Sequence, residues 1–179
     1  MSRDLASILA FTTTLAALSL GATGARADDE DDEGKDGTRL MLAVDLEYAG
    51  AFSSEGADTG AGGAIRVGSE LDALLVTLIP ELLVGYHALD GANEPTALEG
   101  KIGGRIRFAK VLEPGIFAHA GVGRIGGRDP HTSFAFDAGL TLDLTLLPLI
   151  DIGLHGAYNR IFGGADHDGL SYATFGAHV

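Results

Sequence analysis

The chain has 179 residues, enough for one domain, and it contains no cysteine, so disulfides do not stabilise it. Its formal net charge of -13 at pH 7 argues against a nucleic-acid partner, because binding to phosphates requires basic patches. Beyond residue 27 there is no run of about 18 apolar, uncharged residues, which excludes a helical membrane span there. A membrane-spanning β-strand needs only about 9 to 11 residues and stays compatible with the composition.

The first 27 residues have the three parts of a secretory signal peptide. Arg3 supplies the positive charge of the n-region, Leu5 to Leu20 form a short apolar h-region, and Ala25-Arg26-Ala27 is an Ala-x-Ala cleavage site. We therefore expect the chain to be exported from the cytoplasm and cleaved after Ala27.

An acidic run follows at residues 28–37, with no apolar side chain that could be buried. We expect it to be a disordered linker. The Asp-x-Asp-x-Asp-Gly spacing of a calcium loop is absent from this run, and no His or Cys cluster at metal-ligand spacing occurs elsewhere. The sequence therefore predicts neither a metal ion nor a cofactor.

From Thr38 to Val179, apolar and polar residues alternate with the period of two that is typical of a strand with two different faces. The clearest example begins at Leu98, after which even positions are apolar or glycine and odd positions carry Glu99, Lys101, Arg105 and Arg107. Similar segments predict eight strands, at about residues 38–48, 60–68, 71–87, 96–109, 116–122, 133–144, 150–159 and 170–179.

The third of these segments also fits another element. Its apolar residues at 71, 74, 75, 78 and 79 have helical spacing, and Ser69 could cap such a helix. Pro80 would end the helix early. We predict a strand, because the even-position pattern continues through Pro80 to Tyr86; the pattern leaves open whether the segment begins with a short helix.

The predicted connections alternate in length. Those at residues 50–59, 88–95, 124–131 and 161–169 are longer, polar and rich in Gly, Asp and Ser, and those at 68–73, 109–114 and 145–148 are shorter. Short turns at one end and longer loops at the other are typical of outer-membrane barrels. With the mature N-terminus in the periplasm, the longer loops would lie outside the cell.

An eight-stranded barrel has two possible orientations: a soluble calyx with apolar residues inside, or a membrane barrel with them outside. The charged face carries both signs, which can pair across a lumen, whereas an Arg or Lys facing mid-bilayer lipid costs about 2–4 kcal/mol. All four tyrosines fall at the predicted outer ends, as in an aromatic girdle, although Tyr172 has the parity of the lumenal face and counts for less. We therefore predict that the charged face points inward.

The predicted lumenal ion network comprises Asp45, Glu81, Glu99, Lys101, Arg105, Arg107, Asp137, Asp143, Asp151 and His155, and four further residues, Glu47, Arg66, His87 and His119, share its face. Arg105 and Arg107 are expected to bridge Asp143 and Asp151, and Glu81 is expected beside Lys101. Eight strands leave an interior just wide enough for side chains, so we expect a filled lumen and a structural network.

Over residues 38–179 the chain resembles the eight-stranded outer-membrane barrels of the OmpA membrane-domain and OmpX kind. The resemblance implies an all-β, antiparallel up-and-down transmembrane barrel, contact with outer-membrane lipid and lipopolysaccharide, and folding by the barrel-assembly machinery. Members of such families usually end in an aromatic residue that this machinery reads, and here the last residue is Val179.

Two sets of residues near the outer ends could carry chemistry. His131-Thr132-Ser133 resembles the His-x-Ser pair of outer-membrane lipid A deacylases, in which the serine attacks an ester and the histidine is its base. The Asn-Ala-Gly that usually follows is replaced by Phe134-Ala135-Phe136. Arg124, Arg128 and Arg160 could hold lipopolysaccharide phosphates, which arginine binds well.

Three hypotheses follow. The first, which the charged inward face favours, is a non-enzymatic outer-membrane barrel with a structural or surface-interaction role. The second is an outer-membrane enzyme that modifies lipid through His131 and Ser133. The third is a soluble periplasmic calyx that binds an apolar ligand.

Overall fold

The computed structural model describes residues 39–52, 57–73, 75–91, 94–108, 112–127, 130–147, 150–164 and 168–179. The predicted signal peptide and acidic linker lie outside the described residues. The regular elements are eight strands: β1 (Arg39–Ala51), β2 (Ala57–Ala73), β3 (Val76–Gly91), β4 (Thr96–Phe108), β5 (Leu112–Gly126), β6 (His131–Leu147), β7 (Ile150–Ile161) and β8 (Leu170–His178). Within these ranges no helix has the length and apolar character needed to cross a membrane.

Each strand pairs with the next one in antiparallel orientation, and β8 pairs with β1, so the sheet closes into a barrel. Tyr48 on β1 lies opposite Ala61 on β2 on one side and Phe175 on β8 on the other. The predicted eight-stranded antiparallel up-and-down barrel is therefore confirmed. We call the end that contains Arg39 the lower end and the end that contains Ala51 the upper end.

Five of the eight strands (β1, β2, β5, β6 and β7) are longer than the sequence pattern indicated, and β2 extends to Ala73, close to the start of β3. Residues 69–73 belong to β2, although the predicted connection covered 68–73 and the predicted third strand began at residue 71. The described part of 71–87 contains no helix. Leu71 lies opposite Leu78, and the Thr77 hydroxyl donates to the Asp72 carboxylate at 2.8 Å. Pairing between the two strands thus outweighs the local helical spacing of the leucines, because every paired residue contributes to the ladder.

The two faces of the barrel differ sharply in polarity. On β4, Ile102 is 66% exposed, whereas its neighbour Lys101 is 4% exposed and Arg105 is 4% exposed. The same alternation places Leu82 and Leu140 on the outside. The described strands therefore have charged residues inside and apolar residues outside, which is the reverse of a calyx for an apolar ligand.

Glycine allows β4 and β5 to approach closely on the inner face. A Cβ atom at Gly103 would lie 2.0 Å from the carbonyl oxygen of Ala118 and 2.7 Å from Cδ2 of His119. Such distances are far below a van der Waals contact, and the first of them involves backbone that cannot rotate away. The side chain of His119 therefore occupies space that only a glycine opposite it leaves free.

We expect Gly103→Ala to destabilise the folded barrel by about 1–3 kcal/mol, because the added methyl group overpacks the interior. The matched control is Gly100→Ala on the outer face of the same strand, where a Cβ atom would meet nothing within 4 Å. The measurement is the urea concentration at which half of the refolded protein unfolds in detergent. The gel shift between the folded and unfolded forms monitors the transition. Equal midpoints for the two variants would contradict this reading of Gly103.

Candidate functional site

The upper part of the barrel interior is filled by apolar side chains. They come from seven of the eight strands and pack together as one cluster. Tyr172 and Ile161 in this cluster are fully buried. The members are Ala49, Leu89, Ala97, Ile125, Ala135, Ile161, Leu170 and Tyr172, which we call the apolar plug. The plug was not predicted from the sequence, although Leu89, Ile125 and Ile161 have the parity of the inner face.

Tyr172 connects the apolar plug to the charged residues below it. Its hydroxyl donates a hydrogen bond of 2.9 Å to Glu99. The ammonium of Lys101 donates to Glu99 at 2.7 Å and to Asp137 at 2.8 Å, and all of these side chains are buried. Lys101 was expected beside Glu81, but it lies opposite Leu83 and contacts Glu99 and Asp137 instead.

In the middle layer, cations lie between carboxylates from different strands. The guanidinium of Arg66 donates two hydrogen bonds of 2.7 Å to Asp45 and lies 3.3 Å from Glu81. The ring of His119 lies between Glu81, at 2.8 Å, and Asp137, at 2.6 Å. Each carboxylate in this layer therefore has a basic partner within hydrogen-bonding distance, which offsets the cost of burying it.

In the lower layer, Arg107 holds several carboxylates together. It contacts Glu70, lies 3.3 Å from Glu113 and donates to Asp151 at 2.9 Å. Arg105 and Arg107 lie 3.5 Å and 3.8 Å from Asp143, respectively. The two arginines therefore lie beside the carboxylates that they were expected to bridge. Of the two, only Arg107 contacts Asp151 in the described part of the chain.

All ten residues of the predicted network lie on the inner face, and nine are buried; Asp151 is half-buried. Three further ionisable residues belong to it and were not predicted: Glu70, Glu113 and His178. Glu70 and Glu113 fell outside the predicted strands, which ended at residue 68 and began at residue 116. Extending the period-two pattern by two residues beyond 68 would have reached Glu70, and extending it by three residues before 116 would have reached Glu113.

Three residues of the network, Asp45, His155 and His178, form a group of potential metal ligands. One ligand atom from each residue lies within 4.8 Å of the others, and all three residues are buried. They come from β1, β7 and β8, which adjoin one another where the barrel closes. Because they are far apart in the sequence, no local spacing motif could have indicated them.

Little space remains among the inner side chains. A gap of about 20 Å³ lies between residues such as Asp45, Arg66, His119 and Asn159. That is room for about one water molecule. The interior is therefore packed with side chains, as an eight-stranded barrel requires.

Aromatic side chains cluster on the outer face at the upper end. Phe136 packs against Tyr158 and Phe162, with ring centroids 6.0 Å and 5.9 Å apart. The guanidinium of Arg160 lies 5.6 Å from the Phe162 ring and donates to Ser171. Arg124 is exposed on the outer face, and Arg128 lies outside the described residues. Two of the predicted phosphate-binding arginines are therefore placed on the outer side near the upper end.

His131 and Ser133 begin β6 at the upper end and are both half-buried. They share the face of Ala135, which is fully buried in the apolar plug. The Ser133 hydroxyl group therefore belongs to the inner face of the barrel. The outer face of this strand, where acyl chains would lie, carries Phe134 and Phe136.

No family model matches the chain, and no curated protein matches it. Among solved structures, the chain is similar to Neisserial surface protein A, with 17% identity and a TM-score of 0.56 over 80% of this chain and 98% of that one. It is similar to the outer membrane enzyme PagL, with 17% identity and a TM-score of 0.56 over 76% of this chain and 98% of that one. At such low identity the likeness shows the fold alone. The chain therefore has the fold of the eight-stranded outer-membrane barrels, the proteins that its sequence resembles.

Proposed function

We propose that this chain is an outer-membrane β-barrel protein with a structural or surface-interaction role, exercised through its upper loops. The observation that carries the proposal is the apolar outer face, which has a large exposed apolar side chain on every strand. One example from each strand is Leu42, Val67, Leu82, Ile102, Ile116, Leu140, Leu154 and Phe175. So much contiguous apolar surface is unfavourable in water and is satisfied by acyl chains around the barrel.

The closed interior supports a role that needs no internal substrate site. Small-molecule sites usually have volumes of about 300–1,000 Å³, whereas the gap in the ion network is about 20 Å³. Above it, Tyr172 and Leu170 belong to the buried apolar plug. The parts of such a protein that face its surroundings are therefore its outer face and its loops.

The same proposal assigns partners. Under it, the first 27 residues direct export and are removed from the mature protein, and the barrel-assembly machinery inserts the barrel. Outer-membrane lipid would cover the apolar face. The upper arginines would contact lipopolysaccharide phosphates, and Arg124 is the better placed of the two described ones because it is exposed. Arg160 already contacts Phe162 and Ser171.

The test is to fractionate the cell envelope of a host that expresses the full chain. We expect the mature protein in the outer-membrane fraction, extracted only by detergent. On a gel, the unheated sample should migrate differently from the boiled one, because a closed barrel resists unfolding by detergent. Recovery of the protein in the soluble periplasmic fraction would contradict the proposal and favour a soluble barrel.

Ser133 provides a separate test of the alternative that the protein is a lipid-modifying enzyme. Because this residue belongs to the inner face, we expect Ser133→Ala to leave the acylation of lipid A unchanged in cells that express the barrel. Mass spectrometry of extracted lipid A measures the outcome, and cells without the barrel provide the reference. Loss of an acyl chain that depends on both the barrel and Ser133 would show that the protein is an enzyme.

A further inference from the structure

Two buried histidine rings meet in the lower half of the barrel interior. Nδ1 of His155, on β7, lies 3.2 Å from Nδ1 of His178, on β8. The opposite ring nitrogens both face carboxylates: Nε2 of His155 lies 2.7 Å from Glu47, and Nε2 of His178 lies 2.8 Å from Asp143. Each carboxylate requires an N–H group at Nε2, so in the neutral rings both Nδ1 lone pairs point toward the same space.

This arrangement is typical of histidines that bind a metal ion. A ligating imidazole usually donates its other N–H group to a carboxylate, which fixes the tautomer and makes the ligand more basic. Two nitrogen ligands at about 2.0–2.1 Å from a tetrahedral zinc ion are about 3.3 Å apart. The observed separation of the two Nδ1 atoms is 3.2 Å. Both the distance and the outer carboxylates therefore fit a shared ion.

Asp45 supplies a third ligand from the neighbouring strand. It lies opposite His178 in the pairing of β1 with β8, and one of its oxygens falls within the 4.8 Å group. Arg66 holds this carboxylate with two hydrogen bonds of 2.7 Å. A carboxylate has about four lone-pair sites, so it can accept from Arg66 and still bind a cation. Arg66 then acts as an orienting partner.

The charge of the interior favours an added cation. Among the described residues, the ion pairs involve nine carboxylates but only five arginine or lysine side chains, and Glu47 is paired with histidines alone. His119 faces a carboxylate at each ring nitrogen, so it donates from both and counts as a sixth cation. The excess is three negative charges when the other histidines are neutral. A divalent ion removes two of these charges, and it does so beside Asp45, Glu47 and Asp143.

Two glycines leave the space that the histidine rings occupy. A Cβ atom at Gly153 would lie 2.4 Å from Nε2 of His178 and 2.4 Å from the Asp143 carboxylate. A Cβ atom at Gly176 would lie 3.0 Å from Cε1 of His155. The positions of both rings therefore depend on backbone without side chains at these two points.

From these observations we propose that Asp45, His155 and His178 bind one divalent transition-metal ion of the zinc class. Neutral imidazole ligands suit zinc and its neighbours, whereas magnesium and calcium prefer oxygen ligands alone. The ligands come from β1, β7 and β8, so the ion links the three strands at which the barrel closes. The site is independent of the surface role proposed above.

The test uses the mature protein without a histidine tag, folded in detergent micelles and treated with EDTA. Titration with Zn²⁺ in a calorimeter is expected to show one ion bound per barrel. The temperature at which the folded gel band disappears is expected to rise when Zn²⁺ is present, because the ion binds the folded form. Absence of stoichiometric binding by the folded wild-type barrel would overturn the proposal.

Variants distinguish this site from other histidines. Asp143→Asn removes an outer carboxylate and is expected to weaken zinc affinity about 10- to 100-fold, and His178→Gln removes a ligand and should weaken it more. The control is His119→Gln, because His119 is equally buried but contacts Glu81 and Asp137 outside the group. Its affinity should equal that of the wild type. Equal affinities of wild type and His178→Gln, or equal losses in His178→Gln and His119→Gln, would overturn the proposal.

A second measurement covers the case in which the ligand variants fail to fold. Zinc X-ray absorption of the loaded wild-type barrel is expected to show two imidazole ligands with oxygen completing the coordination. A spectrum with oxygen ligands alone would place the ion among the carboxylates and overturn the assignment to His155 and His178.

Discussion

Lys101→Met is expected to destabilise the folded barrel by about 3–5 kcal/mol, because it removes the cation from a buried ion pair and leaves its partners uncompensated. The Lys101 side chain is fully buried and lies 2.7 Å from Glu99 and 2.8 Å from Asp137. Methionine has a similar length and fills the same space, so the loss of stability reflects the missing charge rather than missing side-chain volume. The measurement is the urea midpoint of the refolded barrel.

Two controls separate this effect from a general response to mutation. Arg124→Met removes an exposed cation from the outer face and is expected to change stability by no more than about 0.5 kcal/mol. Combining Lys101→Met with Glu99→Gln removes both charges of one contact and should recover part of the loss, since an unpaired buried carboxylate is the main cost. A double variant that is less stable than Lys101→Met alone would contradict this account.

Ile102→Arg is expected to cost about 2–4 kcal/mol when the barrel is folded into a lipid bilayer, because Ile102 lies at the middle of β4 with its side chain on the outer face. This prediction depends directly on the membrane-spanning role. The measurement is the equilibrium between unfolded protein in urea and the folded barrel in lipid vesicles.

The matched control for depth is Leu40→Arg. Leu40 also faces outward, with 77% of its surface exposed, but it lies one residue from the lower end of β1. An arginine near the membrane interface costs only about 0–1 kcal/mol. Equal costs at positions 40 and 102 would show that the outer face does not contact a bilayer with a defined midplane.

The strands and their two faces could be predicted because they depend on local geometry. Side chains alternate along any β-strand whatever it pairs with, so Ile102 and Lys101 had to lie on opposite faces. Which face points into the barrel could also be predicted, because charged side chains such as Arg105 and Asp137 cost less free energy in an enclosed polar lumen than in lipid. The ends of the strands were harder to predict. Residues 69–73 and 112–115 are strand only because a partner strand continues beside them.

Which inner residues contact one another depends on the tertiary structure. The sequence placed Lys101 and Glu81 on one face at similar depth, yet the register and the reach of each side chain bring Lys101 to Asp137 and Glu81 to Arg66. The tertiary structure also brings apolar side chains of the inner face together as the apolar plug in the upper part of the interior.

Asp45, His155 and His178 show the physical reason most clearly. The alternation along a strand determines the face on which each residue lies. The distance between two residues on different strands depends instead on the register of the strands and on closure of the sheet. Pairing of β8 with β1 brings the last strand beside the first, and residues separated by most of the chain become neighbours there. The alternation of residues along the chain is enough to predict eight strands with a charged inner face and an apolar outer face. The contacts that the inner charges make depend on closure of the barrel.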